Sequence, residues 1–179
     1  FYFTTCGWMM WNWLASSLGV GATVILYDGS PFYPDGTTLL KLAEELEITV
    51  FGTSAKYIAS LESNEIKPKT ISTFPKLRTI LSTGSPLAEE NYDFVYNDWK
   101  EDVQLSSISG GTDIISCFAL GNPILPVRRG ELQCRGLGMK VEAFNNAGKP
   151  ELNSKGELVC IQTFPSIPIF FWNDPDGEK

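Results

Sequence analysis

The sequence contains no histidine, which removes the side chain that most often serves as general base or metal ligand at neutral pH. A Ser-His-Asp triad within the chain is therefore excluded. Cysteine is sparse: Cys6, Cys117, Cys134 and Cys160 lie far apart with no CxxC pair, so zinc-ligand spacing and a dithiol redox motif are both missing. Four reduced, mostly buried thiols in a cytosolic protein are the expectation. No Lys/Arg run offsets the formal charge of −7, which argues against nucleic acid or an anionic membrane surface as partner. Internal repeats and low-complexity tracts are absent. What is present is 179 residues that are 43% hydrophobic and 12% aromatic, about one domain's worth and enough to bury a core.

Charge is missing altogether from Phe1 to Tyr27, and hydropathy alone would mark this stretch as a membrane span. Gly7, Gly19 and Gly21 divide it and Asn12, Ser16 and Ser17 interrupt it, which favours a short strand, an apolar helix from about Trp8 to Leu18, and a strand over Ala22 to Tyr27. A helix apolar all round is expected to be buried. No basic segment or small-residue cleavage site precedes it, so a signal peptide is disfavoured.

Two later segments share one form. Leu77 to Thr83 reads as a strand that Gly84-Ser85-Pro86 breaks, before Tyr92, Val95, Tyr96 and Trp99 recur at helical spacing. Val103 to Ile108 reads as a buried strand running into Ser109-Gly110-Gly111-Thr112-Asp113, where paired glycines allow the backbone to turn and approach a ligand. A hydroxyl beside a carboxylate can serve a phosphate oxygen and the Mg²⁺ that neutralises it, which suits a nucleotide site at a sheet's carboxyl edge. The alternative is a Gly-Gly turn with Asp113 capping the next element.

In chain order, Asp28 to Gly36 is a loop, and Leu39, Leu42, Ala43 and Leu46 mark one face of a helix. Ile48 to Phe51 is a short strand, Gly52-Thr53-Ser54 a turn, and Ala55 to about Leu61 a helix capped by Thr53 or Ser54. This βαβα alternation predicts an α/β fold: a parallel sheet flanked by helices over residues 1–113. Beyond it, closely spaced prolines and glycines predict a β-rich segment over 114–172, with strands at Gly130 to Cys134, Met139 to Phe144 and Gly156 to Gln162 and a hairpin turn at Asn145 to Gly148. Asp174-Pro175-Asp176-Gly177 reads as an exposed turn.

On these residues the chain resembles the adenylate-forming acyl-CoA synthetases. Gly84-Ser85-Pro86 is similar to the adenine loop of that family, and Ser109 to Asp113 to its Tyr-Gly-x-Thr-Glu motif. The runs FYFTTCGWMMWNW, ILSTGSPL, SISGGTDIISCF, GELQCRGLGMKVEAFN and FFWNDPDG are similar to the branch that activates acetoacetate, and together span the chain nearly end to end. The resemblance implies a ligase that joins a short acid to coenzyme A at the expense of ATP, with Mg²⁺ required, acting on small molecules in the cytosol and without membrane insertion.

The resemblance also assigns residues. Gly84, Ser85 and Pro86 would line the adenine, with Ser109, Gly110 and Gly111 completing the nucleotide site. Thr112 would bond the α-phosphate and Asp113 would hold the metal, these two being the catalytic pair. Trp8, Met9 and Met10 would line the acyl pocket with Gly110, core packing being the alternative for the first three. Ser109 stands where the family commonly has an aromatic residue stacked on adenine, and Asp113 where it has Glu. Gly110 replaces the Trp of acetate-using members and would open the pocket to acetoacetate. The family's upstream phosphate loop, downstream ribose-binding Asp and small C-terminal domain with its Lys are missing. The chain is thus expected to be part of a large N-terminal AMP-binding domain and to lack turnover alone. Rival readings are another short-chain acyl-CoA synthetase and a non-catalytic nucleotide-binding or interaction module.

Overall fold

The computed structural model describes residues 1–178. A parallel sheet organises the first two thirds. Its strands are β1 (Val50–Ser54), β2 (Thr79–Thr83) and β3 (Gln104–Ser107), paired in that order. Register places Phe51 beside Ile80 and Ile80 beside Leu105, so these three point to one face, where all are buried. Helices α2 (Thr38–Glu45), α3 (Ala55–Ser63) and α4 (Glu89–Phe94) join the same core, which Trp99 closes by meeting Phe51 edge-on at a centroid distance of 5.4 Å. Trp99 ends a π-helical turn, Val95–Trp99, that continues α4.

The opposite face is thinner. Tyr2 bridges to Gly52 alongside β1, and its ring lies where a Cβ on Gly52 would come within 2.3 Å of its Cδ2. Only glycine permits that approach. Helix α1 (Met9–Ser17) follows, and Met9 packs with Ile108 and Cys117 against Leu81. Past β3 the chain turns antiparallel: β4 (Ser109–Gly111), β5 (Ser116–Leu120) and β6 (Cys134–Arg135) form one sheet, and β7 (Val141–Phe144) and β8 (Glu157–Cys160) another. The parallel sheet with helices and the β-rich continuation thus agree with the sequence.

Several local expectations do not. Ala22–Tyr27 forms no strand and joins no ladder among the described residues; Ile25 and Tyr27 pack against the core without a neighbouring strand to pair with. Helix α1 buries only Met9 and Leu14, while Trp8 is 60% and Leu18 62% exposed, because one short side of the helix is all that the sheet covers. Gly52–Ser54 continues β1 instead of turning. In α2, Leu40 is buried and Leu46 exposed, since the helix ends at Glu45. The paired glycines belong to β4, and the turn comes later, where the Ile115 N–H donates to the Thr112 carbonyl oxygen at 3.2 Å. The strand expected at Gly130 begins only at Cys134. Of the four thiols only Cys117 is buried; Cys6 is exposed and the other two are half-buried. The hairpin at Asn145–Gly148 and the turn at Asp174–Gly177 form as expected. No helix among the described residues is long and apolar enough to cross a membrane.

Candidate functional site

A cavity of about 780 Å³ opens at the carboxyl ends of the three parallel strands, the edge at which open α/β sheets bind ligands. Each strand delivers its last residues to it: Thr53 and Ser54 from β1, Thr83 from β2 and Ser107 from β3, with Ile108 immediately after it. The loop Gly84-Ser85-Pro86 forms one wall, with Gly84 at φ 90°, a conformation that favours glycine. β4 and the following residue, Ser109 to Thr112, form the next. The Thr83 hydroxyl donates to the Ile108 carbonyl oxygen at 3.4 Å and links these two walls. Trp8, Met9 and Met10 close the side nearest α1.

The structure therefore brings together every residue that the sequence nominated except Asp113, which is exposed and lies one position past the cavity wall. Gly110 needs a different reading. An added Cβ would lie 2.4 Å from the Ser116 carbonyl oxygen and 2.9 Å from the Cys117 Cα, so its missing side chain points into β5 rather than into open pocket. Glycine is there because two strands press together. Gly111 meets nothing within 4 Å on its side-chain side.

The sequence alone did not single out the remaining lining residues. Thr53 and Ser54 could have been found by asking what ends a parallel strand at its carboxyl edge. Tyr92, Tyr2 to Thr5, and Gly130 to Leu132 come from distant segments and carried no local signal. Tyr92 donates to the Glu131 carbonyl oxygen at 3.0 Å, and burial, partly offset by the Ser107 hydroxyl, raises its pKa. Arg129 adds an ion pair to Asp93 at 3.0 Å and a longer one to Glu89. These contacts hold the segment 128–132 against α4.

Electrostatically the cavity is neutral except for Glu131, and hydroxyls recur around it. Such a lining suits a planar heterocycle and a short acyl chain, while a polyphosphate needs cations from other groups. Among the described residues no three metal-ligating side chains converge. A lone carboxylate such as Asp113 nevertheless fits Mg²⁺, which keeps its waters and takes most other oxygens from substrate phosphates. Burial pushes the Cys117 thiol behind Gly110 up to about 12, so it remains neutral.

No family model matches the chain. It is 60% identical over 179 residues to acetoacetyl-coenzyme A synthetase of Rhizobium meliloti (strain 1021), covering 100% of this chain and 28% of that protein. It is 54% identical over 178 residues to acetoacetyl-CoA synthetase of Danio rerio, covering 99% of this chain and 26% of the relative. Among solved structures, acetoacetyl-CoA synthetase from Streptomyces lividans superposes with a TM-score of 0.90 at 40% identity, over 98% of this chain and 28% of that one. The anthranilate CoA ligase AuaEII, solved with anthranoyl-AMP, shares the fold with a TM-score of 0.71 at 16% identity, over 86% of this chain and 28% of its own. The chain spans little more than a quarter of the relatives that it matches. In sequence and in fold together, the chain matches one segment of acetoacetyl-CoA synthetases along essentially its whole length.

Proposed function

We propose that this chain supplies one part of the nucleotide and acyl cleft of an ATP-dependent acid–thiol ligase that activates acetoacetate. The observation that carries the reading is the convergence of two glycine-bearing strand ends and Trp8, Met9 and Met10 on one cavity. In the first step the acetoacetate carboxylate attacks the α-phosphorus of ATP, and pyrophosphate leaves. In the second the thiol of coenzyme A attacks the acyl carbonyl carbon, its proton is lost to solvent, and AMP leaves with the electron pair of the broken C–O bond. Both steps bring anions together, so positioning and neutralisation dominate the catalysis.

Gly84, Ser85 and Pro86 flank the adenine, and Ser109, Gly110 and Gly111 pass between nucleotide and acyl group. The Thr112 hydroxyl donates to an α-phosphate oxygen. Asp113, one position past the cavity wall, would hold Mg²⁺, and the metal would supply positive charge to the phosphates. The scarcity of charge in the cavity fits a division of labour in which the phosphate loop, the ribose-binding Asp and the adenylation Lys come from parts of the protein beyond this chain. On this reading the chain is a partial AMP-binding domain of a cytosolic enzyme and is inactive by itself.

The test is pyrophosphate release by the full-length protein with acetate, acetoacetate, butyrate or 3-hydroxybutyrate. Preference for acetoacetate is expected. Preference for another acid identifies a different short-chain ligase, and no acid-dependent release favours a binding module without chemistry.

A further inference from the structure

Glu131 is the one ionised side chain among the residues that line the cavity. It is exposed, and its carboxylate joins no hydrogen bond or ion pair among the described residues, the adjacent Arg129 being taken by Asp93 and Glu89. The backbone that carries it is fixed from two sides. The Tyr92 hydroxyl donates to the Glu131 carbonyl oxygen at 3.0 Å, and the Glu131 N–H donates to the Arg128 carbonyl oxygen at 3.1 Å. A free carboxylate on an anchored backbone is an acceptor open to a donor from a ligand.

The same contacts place it along the cleft. Tyr92 stands on α4, whose first residue, Glu89, follows closely on Pro86. A Cβ on Gly130 would lie 2.9 Å from the Glu89 Cγ. Segment 130–132 therefore stands beside the Gly84-Ser85-Pro86 loop, the wall assigned above to the adenine, while Met9 and Met10 close the side nearest α1.

Charge narrows what the carboxylate can meet. Close to the phosphates an unpaired anion would repel them, the more so in a partly dry cleft. Glu131 suits only the part of the nucleotide that bears no negative charge. There the 6-amino group of adenine presents two N–H donors in the plane of the ring, and an ionised carboxylate does nothing but accept.

We propose that Glu131 is a specificity-determining residue for the nucleotide, its carboxylate accepting a hydrogen bond from the 6-amino group of adenine. Tyr92 is a positioning residue in this arrangement, holding the backbone of Glu131 in place. The inference rests on the reading of the cavity as an ATP site with Gly84, Ser85 and Pro86 against the base.

The experiment measures acetoacetate-dependent pyrophosphate release by the full-length protein with ATP and with purine riboside 5′-triphosphate, which lacks the 6-amino group and is otherwise the same nucleotide. Wild type is expected to prefer ATP about 10-fold in kcat/KM, as for one exposed hydrogen bond to a charged acceptor. Glu131→Ala should lower the ATP value about 10-fold and leave that of the analogue unchanged, so that the preference disappears. Glu101→Ala removes an exposed carboxylate outside the cavity and should alter neither value. The melting temperature of unliganded Glu131→Ala should match wild type, since the side chain makes no hydrogen bond or ion pair that folding would lose. Equal losses with both nucleotides would put the carboxylate on the ribose or in a merely structural role, and would overturn the proposal. So would a preference that survives in Glu131→Ala, a wild type that does not distinguish the nucleotides, or a melting temperature lowered by several degrees. If the wild type releases no pyrophosphate with ATP and acetoacetate, the functional reading itself falls, and that result is read before any variant is considered.

Discussion

The Tyr92 phenol hydroxyl donates to the Glu131 carbonyl oxygen at 3.0 Å, tying α4 to a segment 39 residues further along the chain. Through this bond a buried side chain holds an exposed loop in place as one wall of the cavity. Tyr92→Phe keeps the ring and removes the bond, at a cost of about 1 kcal/mol. Limited proteolysis should then cut within 127–132 faster than in wild type. Arg129→Gln removes two exposed ion pairs and should have a smaller effect, about 0–1 kcal/mol. Equal cutting rates in Tyr92→Phe and wild type would show that other contacts hold the loop.

The two glycines of β4 should respond oppositely to substitution. Gly110→Ala forces a Cβ against the Ser116 carbonyl oxygen at 2.4 Å, an immovable backbone atom. A loss of about 1–3 kcal/mol is expected in denaturant melts. Gly111→Ala meets open space and should be nearly silent. Gly110→Trp is therefore expected to disturb the β4–β5 pairing before it reshapes any acyl pocket.

Ser54 both lines the cavity and caps α3, accepting from the Tyr57 N–H at 3.2 Å. Ser54→Ala should cost about 1 kcal/mol, and Ser54→Asp should recover most of it by restoring an acceptor at the helix N-terminus. Chemical denaturation of the three proteins side by side makes the comparison.

Alkaline pH should weaken the fold through Cys117. Its thiol pKa is raised by burial from 9.0 to about 12, so the unfolded chain releases this proton at lower pH than the folded one. Stability is complete below about pH 9 and declines as pH rises from there towards 12, by at most about 1.4 kcal/mol per unit. Cys117→Ala should flatten that slope between pH 9 and 10.5 in urea titrations, while lowering stability at pH 7 through lost packing. In thiol labelling of the native protein, exposed Cys6 should react and buried Cys117 should not.

The alternation of helices and strands and the position of the glycine-bearing loops that wall the cavity were legible in the residues alone. Alternation marked β3, and of the two caps the sequence offered for α3, Thr53 or Ser54, the structure uses Ser54. Gly84-Ser85-Pro86 and Ser109 to Thr112, which line the cavity, were legible as strand-end breaks because such breaks depend on local backbone chemistry. Tertiary structure alone decided which side of each residue meets what. Met9 is core and cavity wall at once, Gly110 serves strand packing, and Asp113 stands outside the wall, since these outcomes depend on where β5 and α1 come to rest. Tyr2 and Tyr92 gave no local sign of their place in the cavity. Tyr92 meets the Glu131 carbonyl 39 residues further along and Tyr2 bridges to the distant Gly52, and contacts at such separations exist only once the chain has closed on itself.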